Sequence, residues 1–499
     1  MANEESNRGS QYSPFVALIY IFNLMVGTGC LALPSVLLKG GWIIMLTRVC
    51  MLRWTCSQIL GSSFLFIVAF LSYVSVTFVL ESMATANAFI QLKSKDGLDE
   101  SLLSEEAGHR GDDFPSEESQ SLHTPNDEGI FQISRKIEMG EMAGLFFNQW
   151  GIIIFYSALI LYLVGDSLIY STLVARSLAQ YFANLTPASW GFGLFLGIFF
   201  CFSLPLCYFD FQKTKLLQIT TLAIRNISLY TMIILAAIKV VKGGRQDSDV
   251  PSFSLSALPN LFGGAVYSFM CHHSLPGIVT PMRNKSHLQR IVATSYGSVI
   301  VVYILLFISC GFAFGVTVKD PLTFNFPADQ YGLVGSLLFL FPVFTLSSTF
   351  PMLSITLRNN IDTLIQFVSD KGSQKGASLP PPETSRLRRT ILTLLAVGPP
   401  TLMSYIAKHA NISVDSLVGF TGAFAGCAVM LIIPAAFVYC SRRAFTKAWN
   451  SKKGSRMSQP TNFHHSPFAG QGWVIAVLAW ALLSLIFNTY EKWTKLPTA

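Results

Sequence analysis

Charge is the scarcest commodity in this chain. Of its 499 residues only 12 % are Asp, Glu, Lys or Arg, against about 25 % in an ordinary soluble domain. So few charged groups do not cover a water-facing surface at this length. Cysteine is also sparse, nine in all, which excludes a small disulfide scaffold. Several cysteines (Cys201, Cys207, Cys310, Cys427) fall inside apolar runs and read as small apolar fillers. There is no CxxC pair and no ligand spacing for a structural metal. A GxSxG elbow, a P-loop and an HExxH helix are all missing, so an enzyme is not expected. No basic segment precedes the first apolar run near Pro14, so that run is expected to stay as a signal anchor.

What is present is apolar length. The hydrophobic share is 51 % and the mean hydropathy +0.49. A spanning helix needs about 20 apolar residues, and the pattern predicts an all-α polytopic membrane protein. Strands of a membrane barrel alternate apolar and polar, whereas these runs are apolar all round. Eleven spans are expected: 14–38, 59–90, 150–182, 190–208, 216–240, 259–280, 291–316, 332–356, 390–408, 413–439 and 472–490. They divide into a tail (1–13), a first group of five (14–240), a second group of five (259–439), a basic loop (440–471) and an eleventh span with its tail (472–499). The loop 91–142 is acidic and rich in Ser and Glu, and disorder is expected there. It is a solvated linker or a docking segment for a cytoplasmic partner. Its end, Ile133–Trp150, looks amphipathic. A second polar loop is expected at 357–389.

The net charge of +8 would suggest nucleic acid in a soluble protein. Here it reports topology, and no nucleic-acid partner is expected. With the N-terminus cytoplasmic, 23 of the 35 Lys and Arg fall on the cytoplasmic side and 10 opposite, as the positive-inside rule requires. An odd number of spans then puts the C-terminus outside, luminal or extracellular. The sequons at Asn184 and Asn411 fall on that outer side and are candidate glycosylation sites; those at Asn226 and Asn284 do not.

Two spans are interrupted. Span one reads Asn23-Leu-Met-Val-Gly27-Thr28-Gly29-Cys-Leu-Ala-Leu-Pro34. Glycine permits non-helical backbone and proline removes a donor, so together they can break a helix in mid-membrane. Free amides and carbonyls at that depth bind carboxylates or cations. A small-residue helix contact is the other reading. Span six contains Cys271-His272-His273-Ser274-Leu-Pro276-Gly277. Ionisable residues within a span usually face a cavity or a partner, so 271–274 are candidate substrate-lining residues; the alternative is a His pair capping a kink. Spans one and six each open a run of five, the layout of inverted-repeat carriers.

Span eight adds four hydroxyls before a proline, Thr345, Ser347, Ser348 and Thr349. These are hard ligands for a small cation, or they bond their own i−4 carbonyls and bend the helix. Asp166, Asp210 and Arg225 are further intrusions, either relay and gating charges or members of structural pairs.

These motifs resemble the amino acid/auxin permease family. The first-span signature from Asn23 to Pro34, followed by Gly40-Gly41-Trp42, is similar to that family's first helix. Phe209–Lys215, Tyr267–Pro276, Thr356–Asn360 and Ser416–Ala423 look closer still to one of its branches, and the likeness runs from about 12 to 490. The resemblance implies a LeuT-like 5+5 inverted repeat plus an eleventh helix. It implies an α-carboxylate held on Gly27, Thr28 and Gly29, with Cys271, His272, His273 and Ser274 lining the pocket. Asn23 and, less closely, Thr349 match a cation site of sodium-coupled members. No cofactor follows, and neither Na⁺ nor H⁺ coupling is specified, because proton-coupled and uncoupled relatives share the frame. One departure stands out: Thr47–Gly61 looks inserted before span two. The function expected is secondary active transport of amino acids or similar small zwitterions by alternating access; the alternative is a sensor with a carrier's fold, signalling through 91–142.

Overall fold

The computed structural model describes residues 11–39, 53–106, 129–187, 189–208, 215–244, 258–369, 385–453 and 459–494. Among them every long element is a helix; the one pairing of β type is an isolated bridge between Tyr12 and Met282. Among the described residues nine helices are long and apolar enough to cross a bilayer, and the pair Pro14–Met25 and Gly29–Leu38, bent by 53°, makes a tenth crossing. The sequence predicted eleven. The difference lies at span six, which is built of short pieces: Leu258–Ser268, a single tight turn at His272–Ser274, and Leu275–Val279. Each is too short to cross alone. Together they occupy the place of one span that opens the second group of five.

Local chemistry accounts for both interruptions. The first half of span one starts on Ser13, whose hydroxyl accepts from the Val16 amide, with Pro14 pre-set for the first turn. It ends at Val26, which leaves the helical region (φ −75°, ψ 70°), and the chain turns through Gly27 and Thr28 before a second helix begins at Gly29. In span six the helix stops at Ser268 and resumes in earnest only at Leu275-Pro276.

Several boundaries move from the expectation. Span two belongs to a helix that runs Arg53–Glu106, of which Phe64–Lys93 is the apolar part. The expected disordered loop 91–142 is therefore helical up to Glu106. From 129 onward it is packed, with Phe131, Ile133, Ile137 and Met142 buried and a short helix at Met139–Phe146. Its acidic centre, 107–128, lies outside the described residues. Of the expected insertion, 47–52 lies outside them and 53–61 begins the span-two helix. Span eight runs Ala328–Ser369, so the polar loop expected from 357 starts later. Its Arg358 is buried and donates to the Cys207 carbonyl at 3.1 Å. The loop expected from 440 likewise starts as helix, which continues to Lys453. In the last two places a polar stretch stays helical because part of it is buried against its neighbours, with Asp362, Phe367, Phe445 and Trp449 all buried, which local hydropathy does not register.

Large apolar side chains remain exposed around the outside, among them Ile154, Leu161, Phe202, Ile234, Leu402 and Ile486. That belt explains why the spans read as apolar on every face: one side packs and the other meets lipid. Where spans six and ten cross, glycine lets the backbones touch. A Cβ added at Gly263 would stand 1.8 Å from the Gly419 carbonyl oxygen. Span ten is underwound there, with π-helical turns at Gly422–Gly426 and Ala428–Ile432; such turns frequently sit at functional sites.

Candidate functional site

The two interruptions face each other. Thr28, in the turn of span one, has its hydroxyl 2.9 Å from the Tyr267 hydroxyl of span six. Tyr267 in turn donates to the carboxyl of Asp166 in span three. All three side chains are buried. Gly29 lies against the last turn of span six; a Cβ there would come within 2.6 Å of Ser268 Oγ. Tyr303 of span seven places its hydroxyl 2.8 Å from the Met25 carbonyl and 3.0 Å from the Ser268 carbonyl. Its one proton serves a single carbonyl at a time, so this hydroxyl straddles both breaks.

Chemically, the break in span one offers two kinds of group. The second half-helix begins at Gly29, so its first amides have no carbonyl a turn earlier to bond and carry the positive end of the helix dipole. That is a seat for a carboxylate. The last carbonyls of the first half-helix carry the negative end. Here they meet the half-buried guanidinium of Arg225, from span five, whose Nη1 donates to Asn23 O at 3.1 Å and to Val26 O at 3.3 Å.

The predicted site residues separate into two sets. Gly27, Thr28 and Gly29 form the turn of span one, and Cys271 to Ser274 form the opposed turn of span six, as expected. Cys271 is buried with its thiol 3.4 Å from the Tyr296 hydroxyl. His272 turns toward span two, where its Nε2 is 2.8 Å from Ser75 Oγ. His273 sits beside the Tyr162 ring, centroids 5.5 Å apart. The Nδ1 atoms of both histidines are buried and have no hydrogen-bond partner among the described residues. Asn23 and Thr349, the expected cation ligands, are each engaged elsewhere. Asn23 Oδ1 accepts from Asn226 Nδ2 at 2.7 Å, and its own amide donates to Ile19 O at 2.7 Å. Thr349 donates to the Thr345 carbonyl at 2.7 Å in its own helix. No hydrogen bond joins the two.

Sequence reading did not single out Tyr267, Tyr303, Tyr296 or Ser75 as site residues. Tyrosine in an apolar span looks like core or interface, and only its partners across the fold reveal the difference. Asp166 and Arg225 were legible as costly intrusions, but not their places at the break.

A second polar cluster closes one end of the bundle. Glu81 of span two, buried, accepts from Arg442 at 2.6 and 2.8 Å and from the Ser466 amide at 2.9 Å. Thr77 and Ser466 hydroxyls lie 2.7 Å apart, and Gln289 holds the His465 carbonyl at 2.5 Å. The segment before span eleven is thereby tied to spans two, seven and ten. Nearby, burial, together with the charge of Lys285, holds the His464 imidazole below its ordinary pKa. At the other end, Asn184 and Asn411 are both exposed in turns after spans three and nine. Arg176 links those turns by donating to the Ile412 carbonyl at 2.5 Å, and Ala183, Thr186 and Asn411 line one cavity of about 390 Å³ there.

Residues 132–478 match the family described as transmembrane amino acid transporter protein. Transmembrane protein 104 of Homo sapiens is 35 % identical over 528 residues, covering 98 % of each chain. Its homologs in Drosophila melanogaster (34 %, 95 % of each chain) and Dictyostelium discoideum (30 %, 97 % of each) align over nearly the same extent. Among solved structures, MhsT in complex with L-phenylalanine superposes with a TM-score of 0.48 at 12 % identity, covering 97 % of this chain and 99 % of that one. A manganese transporter of Eremococcus coleocola gives 0.42 at 13 %, covering 95 % of each. The match over 132–478, more than half of the chain, places this multi-pass membrane protein in the transmembrane amino acid transporter family.

Proposed function

We propose that this protein is a secondary active transporter of amino acids or similar small zwitterions, working by alternating access. One observation carries the proposal: the broken turns of spans one and six face each other in the buried interior, joined through Thr28 and Tyr267, with the Nδ1 atoms of His272 and His273 left without partners beside them. Polar groups are costly in such surroundings unless something pairs with them. A substrate supplies that pairing. Its α-carboxylate is seated on the amides around Gly27, Thr28 and Gly29, and its remaining polar groups meet the turn Cys271–Ser274. Spans one and six then rock against the other helices, opening the site to one side and then the other.

The same proposal takes the N-terminus as cytoplasmic and the C-terminus as luminal or extracellular, with Asn184 and Asn411 on the outer face as glycosylation sites. The start of span one and the end of span six lie together, where the Arg283 amide donates to Tyr12 O at 3.1 Å, and this proposal puts both on the cytoplasmic side. Asn23 and Thr349 are the groups the family likeness assigns to a coupling ion in its sodium-coupled members; the cycle proposed here is coupled to Na⁺, coupled to H⁺ or uncoupled.

The test is uptake of radiolabelled amino acids by proteoliposomes holding the full chain, under Na⁺ and pH gradients. Concentrative uptake of at least one amino acid is expected. Amino-acid binding without flux would instead favour a sensor, and neither binding nor flux for any amino acid would overturn both readings.

A further inference from the structure

The sodium-coupled relatives suggest a metal ion at the break of span one, and the residues present do not fit one. A sodium ion needs several oxygens at once, each with a lone pair turned toward one point and no resident positive charge beside them. Here five backbone carbonyls and one side-chain amide oxygen of the break accept from the protein. Asn23 O and Val26 O accept from Arg225 Nη1. Met25 O accepts from the Gly27 amide at 2.8 Å, Gly27 O from the Cys30 thiol at 2.9 Å, and Thr28 O from the Leu31 amide at 3.1 Å. The side-chain oxygen of Asn23 accepts from Asn226.

We propose that the guanidinium of Arg225 is a resident cation that permanently fills the cation position of this break, so that the protein binds no sodium there. Arginine keeps its charge at any physiological pH, and its planar fork reaches two carbonyls from one nitrogen's position as a small ion would. The geometry suits that role. Arg225 forms no ion pair with a described residue; its hydrogen bonds go to the two carbonyls at the negative end of a half-helix. A second monovalent cation about 4 Å from it, at an effective dielectric constant of about 20, is disfavoured by roughly a thousandfold. The consequence for transport, uptake without sodium, rests on the carrier reading above; the statement about binding does not.

The experiment uses the purified full chain in lipid nanodiscs and, separately, in proteoliposomes. Radioactive sodium is titrated by scintillation proximity, and amino-acid uptake is compared with choline in place of sodium. No saturable sodium binding and equal uptake in the two media are expected. Saturable binding to the wild type, or uptake that collapses in choline, overturns the inference. Arg225→Gln removes the charge and Arg225→Lys keeps one. In sodium-free medium the Gln variant is expected to lose uptake by about tenfold or more while the Lys variant retains most of it, since a point charge replaces part of the fork. Wild-type rates from Arg225→Gln in that medium would also overturn it. If Arg225→Gln does not fold, the wild-type ion replacement still decides. A protein that takes up no amino acid in any medium removes the carrier reading, and sodium binding then decides this inference alone.

Discussion

Removing one oxygen atom tests how the two breaks are joined. In Tyr267→Phe the ring keeps its place against Tyr162, centroids 6.3 Å apart, but the hydroxyl that bridges Thr28 and Asp166 is gone. Both former partners are buried, Thr28 at 5 % and Asp166 at 7 % exposure, so water does not readily replace the lost contacts. A hydrogen bond to a carboxylate contributes about 1.5–3 kcal/mol, and a buried group left unpaired costs about 1–3 kcal/mol. Because one hydroxyl serves both contacts and the site relaxes in part, a net cost of about 2 kcal/mol is expected. At 1.36 kcal/mol per decade that is roughly thirtyfold in an equilibrium constant. It should show as a lowered melting temperature in detergent, read by tryptophan fluorescence, and as a weaker half-saturation for amino-acid uptake. Thr28→Val deletes the other side of one of these bonds. The double variant should therefore cost less than the sum of the singles. If Tyr267→Phe melts and transports like the wild type, the hydroxyl bridge is not what holds the breaks together.

Three further outcomes are expected. Gly263→Ala puts a methyl 1.8 Å from the Gly419 carbonyl oxygen, so spans six and ten must separate by about 1 Å or more across a packed contact; the monodisperse peak on size exclusion should shrink or vanish, and a normal yield would refute the contact. Glu81→Gln leaves the Arg442 guanidinium facing a neutral amide. Since Arg442 is a quarter exposed, the cost should fall below the 3–5 kcal/mol of a fully buried pair, at about 2 kcal/mol. Melting should drop accordingly, and Arg442→Gln added to it should cost little more. Asn184→Gln and Asn411→Gln should each remove one endoglycosidase-sensitive increment in gel mobility. If the single variants migrate like the wild type before enzyme treatment, the outer placement of those turns is refuted.

The parts of the site that were legible in sequence are those whose signal is local. Gly27-Thr28-Gly29 and Cys271 to Ser274 announce themselves because glycine, proline and histidine are conspicuous inside an apolar run, and the structure places a break at both. Span six shows the limit of the same signal: a hydropathy window sees one span, while the backbone is three short pieces. Polar stretches misled for the opposite reason. Composition suggested that the loop 91–142 is disordered, whereas the amphipathic pattern from Ile133 pointed the other way, and Ile133, Ile137 and Met142 are indeed packed down. Asn23 shows how motif and neighbourhood diverge. Its place in the first-helix signature implies a cation ligand, yet its oxygens are taken by Arg225 and Asn226.

From the residue order alone follow the membrane class, the approximate count of spans and the two places where helices must break. Hydropathy and backbone freedom act over a few turns, so they can be read along the chain. Only the folded arrangement decides which polar groups meet. Thr28 finds Tyr267 across 239 residues, Tyr267 finds Asp166 across 101, and Arg225 reaches the carbonyl of Asn23 across 202. A buried polar group must find its partner wherever packing brings one, and packing brings together residues that the chain keeps far apart.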